Sequence, residues 1–268
     1  TVAIGTNALL GLTTGVGSTA AGHQAGQNII TGNYNTLFGW KTGYKLAHAD
    51  ADSNVFMGYG AGAGGDDTFS ANSANNNVGI GHLALGATAD HTADGAAFTG
   101  NYNVAVGTSA LQLITTGYDN AVVGASAGDA ITEGLRNVAV GKSALSAVST
   151  TNDNTAIGFT SFAATIGAYS GAGVVGGQYN TAVGHSALNG ASQHGNTAIG
   201  YESMNSVSGT AAAGNTAVGR NTGGTITTGR YNTIIGQFVD VDVAAQYNQT
   251  VIGTAGVFRF LSKLYECD

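Results

Sequence analysis

From Asn137 to Val140 polar and apolar positions alternate, with β-branched residues at the second and fourth places, the period-two pattern of a short strand. Val138 and Val140 point to one face, and Asn137 and Ala139 to the other. Gly141 then turns the chain, and Ser143-Ala144-Leu145 reads as the start of a second short strand. The same Ala-Leu step stands at Ala8-Leu9, Ala84-Leu85, Ala110-Leu111 and Ala187-Leu188. A glycine three residues before the asparagine (Gly32, Gly100, Gly117, Gly134, Gly177, Gly229) is read as supplying the other turn through a positive φ.

This unit repeats. The phrase Asn-Thr/Val-Ala-Val/Ile-Gly and its close variants return fourteen times, ending at Gly5, Gly22, Gly39, Gly58, Gly81, Gly107, Gly124, Gly141, Gly158, Gly184, Gly200, Gly219, Gly236 and Gly253. Most intervals are 17 residues. A period this short predicts stacked single coils rather than a domain folded around one central cleft. The expected fold is all-β, a parallel β-solenoid (a β-roll) of about 14 short coils over residues 1–253. At about 4.8 Å per step the rod would be about 60 Å long. Residues 254–268 break the phrase and read as a C-terminal junction segment. Thr1 enters in mid-phrase, which predicts a processed product or a piece of a longer protein.

Asn35, Asn54, Asn77, Asn103, Asn120, Asn137, Asn154, Asn180, Asn196, Asn215 and Asn232 are expected to form a structural amide ladder along one corner. Val/Ile and Leu are expected to fill the interior and the Ala/Gly face to pack against neighbouring copies, with a homotrimer as the closed solution. The aligned Thr155, Thr181, Thr197, Thr216, Thr233 and Thr250 share their column with valines elsewhere. That column therefore reads as inward, which argues against ice binding.

Composition supports the stacked-coil picture. Glycine accounts for 44 of 268 residues and proline for none, as suits a chain whose strands are nearly all central and need every ladder hydrogen bond. Charged residues are only 9%, with a net charge of −7. No basic stripe exists to meet phosphates, so nucleic acid is not an expected partner. The lone Cys267 excludes an internal disulfide framework, and no apolar run has the length of a membrane span.

The phrase resembles the head repeats of trimeric autotransporter adhesins. Its fuller form, Asn180-Thr-Ala-Val-Gly-His-Ser-Ala-Leu188, is similar to repeats in bacteriophage tail fibres. The resemblance covers residues 1 to about 253. It implies a left-handed β-roll, a homotrimer, and a structural, receptor-binding segment of a virion tail fibre attaching to host cell-surface polysaccharide beside other fibre or tail proteins. A bacterial cell-surface adhesin head is the alternative setting, and a polysaccharide depolymerase the alternative activity. The resemblance supplies no catalytic residue, cofactor or metal, and the chain is expected not to be an enzyme.

Because the repeat is scaffold, recognition is sought where it is interrupted. Insertions near 59–77, 82–103 and 159–180 carry Asp66, Asp67, Phe69, Asp90, His91, Asp94, Phe98 and Tyr169 as candidate ligand-binding residues. Acids, amides and exposed aromatics suit sugar hydroxyls and the apolar faces of sugars. A second feature is the residue after each motif glycine: His23, Trp40, Tyr59, His82, Lys142, Phe159, His185, Tyr201 and Arg220. This column suits either a ligand platform or a filler between copies. Tyr34, Tyr102, Tyr179 and Tyr231, just before the asparagines, read as turn packing.

Other motifs carry little. Gly60-Ala-Gly62-Ala-Gly64-Gly65 has no βαβ context for a dinucleotide, and Gly141-Lys142-Ser143 lacks the earlier glycine of a phosphate loop. His91 near Asp90 and Asp94 is a weak metal pattern. Glycoside hydrolysis needs two facing carboxylates, and Asp66/Asp67 and Asp240/Asp242 are only sequence neighbours.

Overall fold

The computed structural model describes residues 1–44, 46, 51–64, 74–86, 98–147, 149–163, 177–190, 194–205, 212–241, 247–254 and, as backbone, 257–260. The chain divides into two compact units, Thr1–Lys142 and Ser143–Asp268.

The first unit holds eight strands, β1 (Val2–Ile4), β2 (Thr19–Ala21), β3 (Thr36–Phe38), β4 (Val55–Met57), β5 (Val78–Ile80), β6 (Val104–Val106), β7 (Ala121–Val123) and β8 (Val138–Val140). Each pairs with the next in parallel, motif position on motif position, for example Val104↔Ala121 and Ala105↔Val122. The second unit repeats the plan with β9 (Thr155–Ile157), β10 (Thr181–Val183), β11 (Thr197–Ile199), β12 (Thr216–Val218), β13 (Thr233–Gln237) and β14 (Thr250–Thr254). There β15 (Val257–Phe260) turns back and pairs antiparallel with β14. Each unit is thus a parallel β-solenoid with one short strand per coil.

The expected second strand does not form. Ser143 and Leu145 take φ of 54° and 55°, and Leu9, Leu85, Leu111 and Leu188 are likewise left-handed. These segments are successive turns, yet they still stack by hydrogen bonds: the Leu111 N–H donates to the Ala127 carbonyl at 3.0 Å, and Leu145 to Ser161 at 3.0 Å. Alternating left- and right-handed residues let this wall turn inward every two residues, so that its leucines fill the coil. Leu85, Leu111, Leu145 and Leu188 are all fully buried.

The glycine three residues before the asparagine also has a different reason. Gly32, Gly100 and Gly117 are absent from the left-handed region; there it is the residue before the asparagine, such as Tyr34, Asp119 or Arg136, that takes positive φ. Those glycines answer a close approach instead. A Cβ on Gly117 would stand 2.5 Å from the Gly134 carbonyl oxygen of the following coil.

The faces of the strand are the reverse of those expected. Ala139 is 0% exposed, whereas Val140 is 39% exposed. The second residue of the strand is buried in every coil from β2 to β14. The amide ladder decides this. In the first unit, Asn120 donates its N–H and its side-chain amide to Asn103 Oδ1 at 3.1 and 2.9 Å, and Asn137 does the same to Asn120. In the second unit, Asn180, Asn215 and Asn232 repeat the double bond to the coil before. Such a ladder holds where water cannot compete, so asparagine faces inward. Side chains alternate along a strand, so the residue two further on must also face in, and the Val/Ile positions must face out.

Volume is balanced locally. Phe56 occupies the middle position of β4 and is fully buried. Its neighbours give way: a Cβ on Gly79, one coil on, would lie 3.0 Å from the Phe56 ring. Asp129 is held above its ordinary range, because burial disfavours its charged form despite a hydrogen bond from Ser126. An acid so raised loses stability for the fold as pH climbs from the unfolded value towards the folded one. Asp129→Asn is therefore expected to raise the thermal midpoint at pH 7, and to change it less near pH 3, where both states are protonated. Melting curves at the two pH values test this.

Candidate functional site

Two surfaces stand out, and both follow from the alternation. The first is the outward face of the strands. In the first unit Val2, Ile4, Phe38, Met57, Ile80, Val104, Val123 and Val140 are exposed. In the second, Ile157, Ile199, Ile235 and Ile252 are exposed beside half-buried Thr155, Thr181, Thr197, Thr216, Thr233 and Thr250. The strictly parallel register places these threonines one above another. Their column faces outward, against the inward reading. No charged residue occurs at the first or third position of any parallel strand. Eight rungs at about 4.8 Å make the first unit's face about 34 Å long, a size at which exposed apolar surface marks an interaction site.

The second surface is the corner just beyond the motif glycine. In the first unit four rings stack: His23 on Trp40 (6.3 Å, 11° between planes), Trp40 on Tyr59 (4.7 Å, 15°), and Tyr59 on His82 (5.1 Å, 21°). Lys41 holds its Nζ 4.6 Å from the Trp40 ring and 5.1 Å from that of Tyr44. In the second unit Phe159, His185 and Tyr201 stack at 5.2 and 5.0 Å, and the Arg220 guanidinium lies between Tyr201 (5.7 Å) and Phe238 (5.2 Å). Glu202 stands at this second corner, accepting from the Asn221 amide at 2.8 Å. Its hydrogen bond and negative charge push the Tyr201 hydroxyl above its ordinary pKa. Backbone ladders set the spacing of both columns; the Lys41 N–H, for instance, donates to the His23 carbonyl at 2.9 Å.

The candidates on the insertions fare differently. Asp66, Asp67, Phe69, Asp90, His91, Asp94 and Tyr169 lie outside the described residues. Phe98 is described, and it is fully buried, its ring beside Gly86. It is a core residue, not an exposed aromatic for a sugar. The four corner tyrosines pack less than expected, being 61–63% exposed. Tyr34 and Tyr231 lay one side of the ring over Gly17 and Gly214 of the preceding coil.

A second ladder escaped the sequence reading. The Val16 N–H donates to Asn33 Oδ1, Asn33 to Asp52 Oδ1, Asp52 to Asn75 Oδ1, and Asn75 to Asn101 Oδ1, at 2.6–3.0 Å. Its signal was available: a short polar residue two places before the ladder asparagine, at Asn33, Asp52, Asn75, Asn101 and Asn152. Among the described residues, no three or more of His, Cys, Asp and Glu lie close enough to hold a metal ion. No helix among them is long and apolar enough to cross a membrane. No family model, no curated protein and no solved structure matches this chain.

Proposed function

We propose that this chain is a structural and receptor-binding segment of a fibre, of the bacteriophage tail-fibre kind, that attaches to glycan on a host cell surface. In this reading three parallel copies of the left-handed roll associate through the outward strand faces. The observation that carries it is the charge-free face: an exposed row of Ile4, Phe38, Met57, Ile80, Val123 and Val140 beside a mostly half-buried row of Val, Thr and Ala within the first unit. Water meets no charge there, and a second copy of the same face removes the apolar area from solvent. A cyclic arrangement closes such an interface on itself. Binding would then be multivalent, with weak sites repeated on rigidly held copies gaining from effective concentration. A cell-surface adhesin head uses the same physics and differs in where it is anchored.

Light scattering on the eluting protein tests the association. We expect a mass three times 26.5 kDa. Ile80→Lys with Val123→Lys is expected to release single copies with an unchanged far-ultraviolet spectrum, because both side chains point away from the core. A wild-type protein eluting as a single copy would sink the trimer. Attachment is tested on bacterial surface polysaccharides, where we expect retention without new reducing ends; new reducing ends would instead indicate a depolymerase.

The outward threonine column of the second unit favours a second reading, in which a flat, regularly spaced row of hydroxyls and methyls orders water and binds ice. It requires that face to be free of other copies. A thermal-hysteresis measurement separates the two: a gap between freezing and melting temperatures supports ice binding, and no gap removes it.

A further inference from the structure

Ring stacking and Lys41 set the chemistry of the described corner of the first unit. Tyr59 is stacked on both sides, at 4.7 Å by Trp40 and at 5.1 Å by His82, yet remains exposed. Its faces are taken, so what it offers to solvent is its edge. Trp40, between His23 and Tyr59, is likewise stacked on both sides, and is half-buried. An aromatic ring is negative on its face and positive at its edge. Stacking therefore hides the negative faces and leaves positive edges outward. Lys41 adds a full charge beside Trp40.

Among the described residues of this corner there is no acid. The corner residues of these four coils are Gly22-His23-Gln24, Gly39-Trp40-Lys41, Gly58-Tyr59-Gly60 and Gly81-His82-Leu83, with no Asp or Glu among them. Acids outnumber bases by 15 to 8 in the whole chain. The corresponding corner of the second unit differs, because Glu202 lies beside Arg220 and Tyr201 there.

We infer that the His23–Trp40–Lys41–Tyr59–His82 strip binds an anionic polysaccharide that carries a carboxylate on successive sugars and runs along the stack. This deepens the attachment reading and rests on it. A neutral sugar wants a bare ring face to stack on, and the strip has spent its faces on its own rings. A carboxylate is drawn to ring edges and to an ammonium. The strip is also linear, with one ring per rung at a step of about 4.8 Å. An extended pyranose chain advances by a similar step per sugar, so the carboxylates that its turn brings to the strip fall in line with the rungs. Backbone ladders hold the rings in place beforehand, so binding orders little that is free.

The chain has a single tryptophan, and it lies in the strip. Trp40 emission therefore reports on this site alone. The intact protein is titrated with polygalacturonate, with dextran as the neutral comparator and duplex DNA as the other anionic polymer. We expect a saturable change with polygalacturonate and none with dextran. Apparent affinity should fall at least about tenfold between about 50 and 500 mM NaCl, as charge-driven association does. Lys41→Gln, checked for an unchanged circular dichroism spectrum, should weaken binding about fivefold; Arg220→Gln should leave it unaltered. An equal response to dextran, a stronger one to DNA, insensitivity to Lys41→Gln, or no response would each overturn the inference. Retention of neutral host polysaccharide without polygalacturonate binding sinks the inference and leaves the attachment reading standing. Retention of no polysaccharide at all sinks both.

Discussion

Replacing Gly124 with alanine is expected to destabilise the first unit by about 3–5 kcal/mol, the sum of a strained backbone and an overlap that nothing can relieve. The φ of Gly124 is +141°, a region closed to residues with a Cβ. An added Cβ would come within 2.6 Å of the Gly141 carbonyl carbon, still nearer its oxygen, and 3.1 Å from the Lys142 nitrogen. All three are backbone atoms of the next coil, held by the Gly141 N–H to Val123 carbonyl bond at 2.8 Å. A side chain in that place could rotate away, but the ladder can only part. The defect recurs at every rung: the space beside each motif glycine from Gly5 to Gly124, and from Gly158 to Gly236, is taken by the next motif glycine's carbonyl. Gly224→Ala is the control, with no positive φ and its nearest neighbours, Asn205 Oδ1 and Asp240 Oδ2, at 3.7 and 3.8 Å. That change should be neutral or stabilise by a few tenths of a kcal/mol through the unfolded chain. Urea midpoints for the two variants decide the matter; similar midpoints would mean that the coils are spaced by something other than these glycines.

Asn120→Ala is expected to cost a further large amount, about 3 kcal/mol or more, through unmade hydrogen bonds rather than lost volume. Asn120 Oδ1 accepts both the N–H and the side-chain amide of Asn137 at 3.0 Å. Its own amide donates to the carbonyls of Gly134 at 2.8 Å and Tyr118 at 3.2 Å, and to Asn103 Oδ1 at 2.9 Å. Asn120 and its ladder neighbours Asn103 and Asn137 are all buried, so water does not replace what is removed. Stacked coils share stability with their nearest neighbours, so hydrogen exchange should quicken first in the β6, β7 and β8 coils. Asn120→Asp sharpens the test. Its carboxylate would set an acceptor against the acceptors Gly134 O and Asn103 Oδ1, so it should be at least as damaging as alanine at pH 7. Acidification protonates the carboxyl and restores one donor, so part of the loss should return at low pH. A ladder that tolerated alanine with little change would owe its stability to the leucine wall instead.

These two effects fall on features visible in the sequence. Spacing alone located Gly124 and Asn120, because a residue recurring once per coil stacks on its own copies wherever the coils are parallel. The direction of the side chains was not visible. Val138 and Val140 are larger and more apolar than Asn137 and Ala139, and hydrophobicity alone would place them inside. Yet Ala139 is buried and Val140 is exposed. The coil interior is thin, and it already receives Leu111 or its equivalent from the opposite wall, leaving room for alanine. The second wall was misjudged for a related reason. Ser-Ala-Leu has the composition of a strand start, but Ser143 and Leu145 are left-handed, a backbone choice that no side-chain pattern announces. Phe98 closes an insertion, a place where sequence alone suggests an exposed loop aromatic; packing beside Gly86 puts it in the core.

By itself, the sequence determined the period, the parallel stacking of equivalent positions, the asparagine ladder and the glycine that closes each motif, since all four need only that like residues fall on like. Tertiary structure alone decided which face is inside, because a buried amide ladder and a strand period of two leave asparagine and alanine no other side. It decided, too, that the rings after the glycines lie face to face with their edges outward. Ring planes are set by the 4.7–6.3 Å gap between neighbouring rings, a dimension that exists only once the coils are stacked.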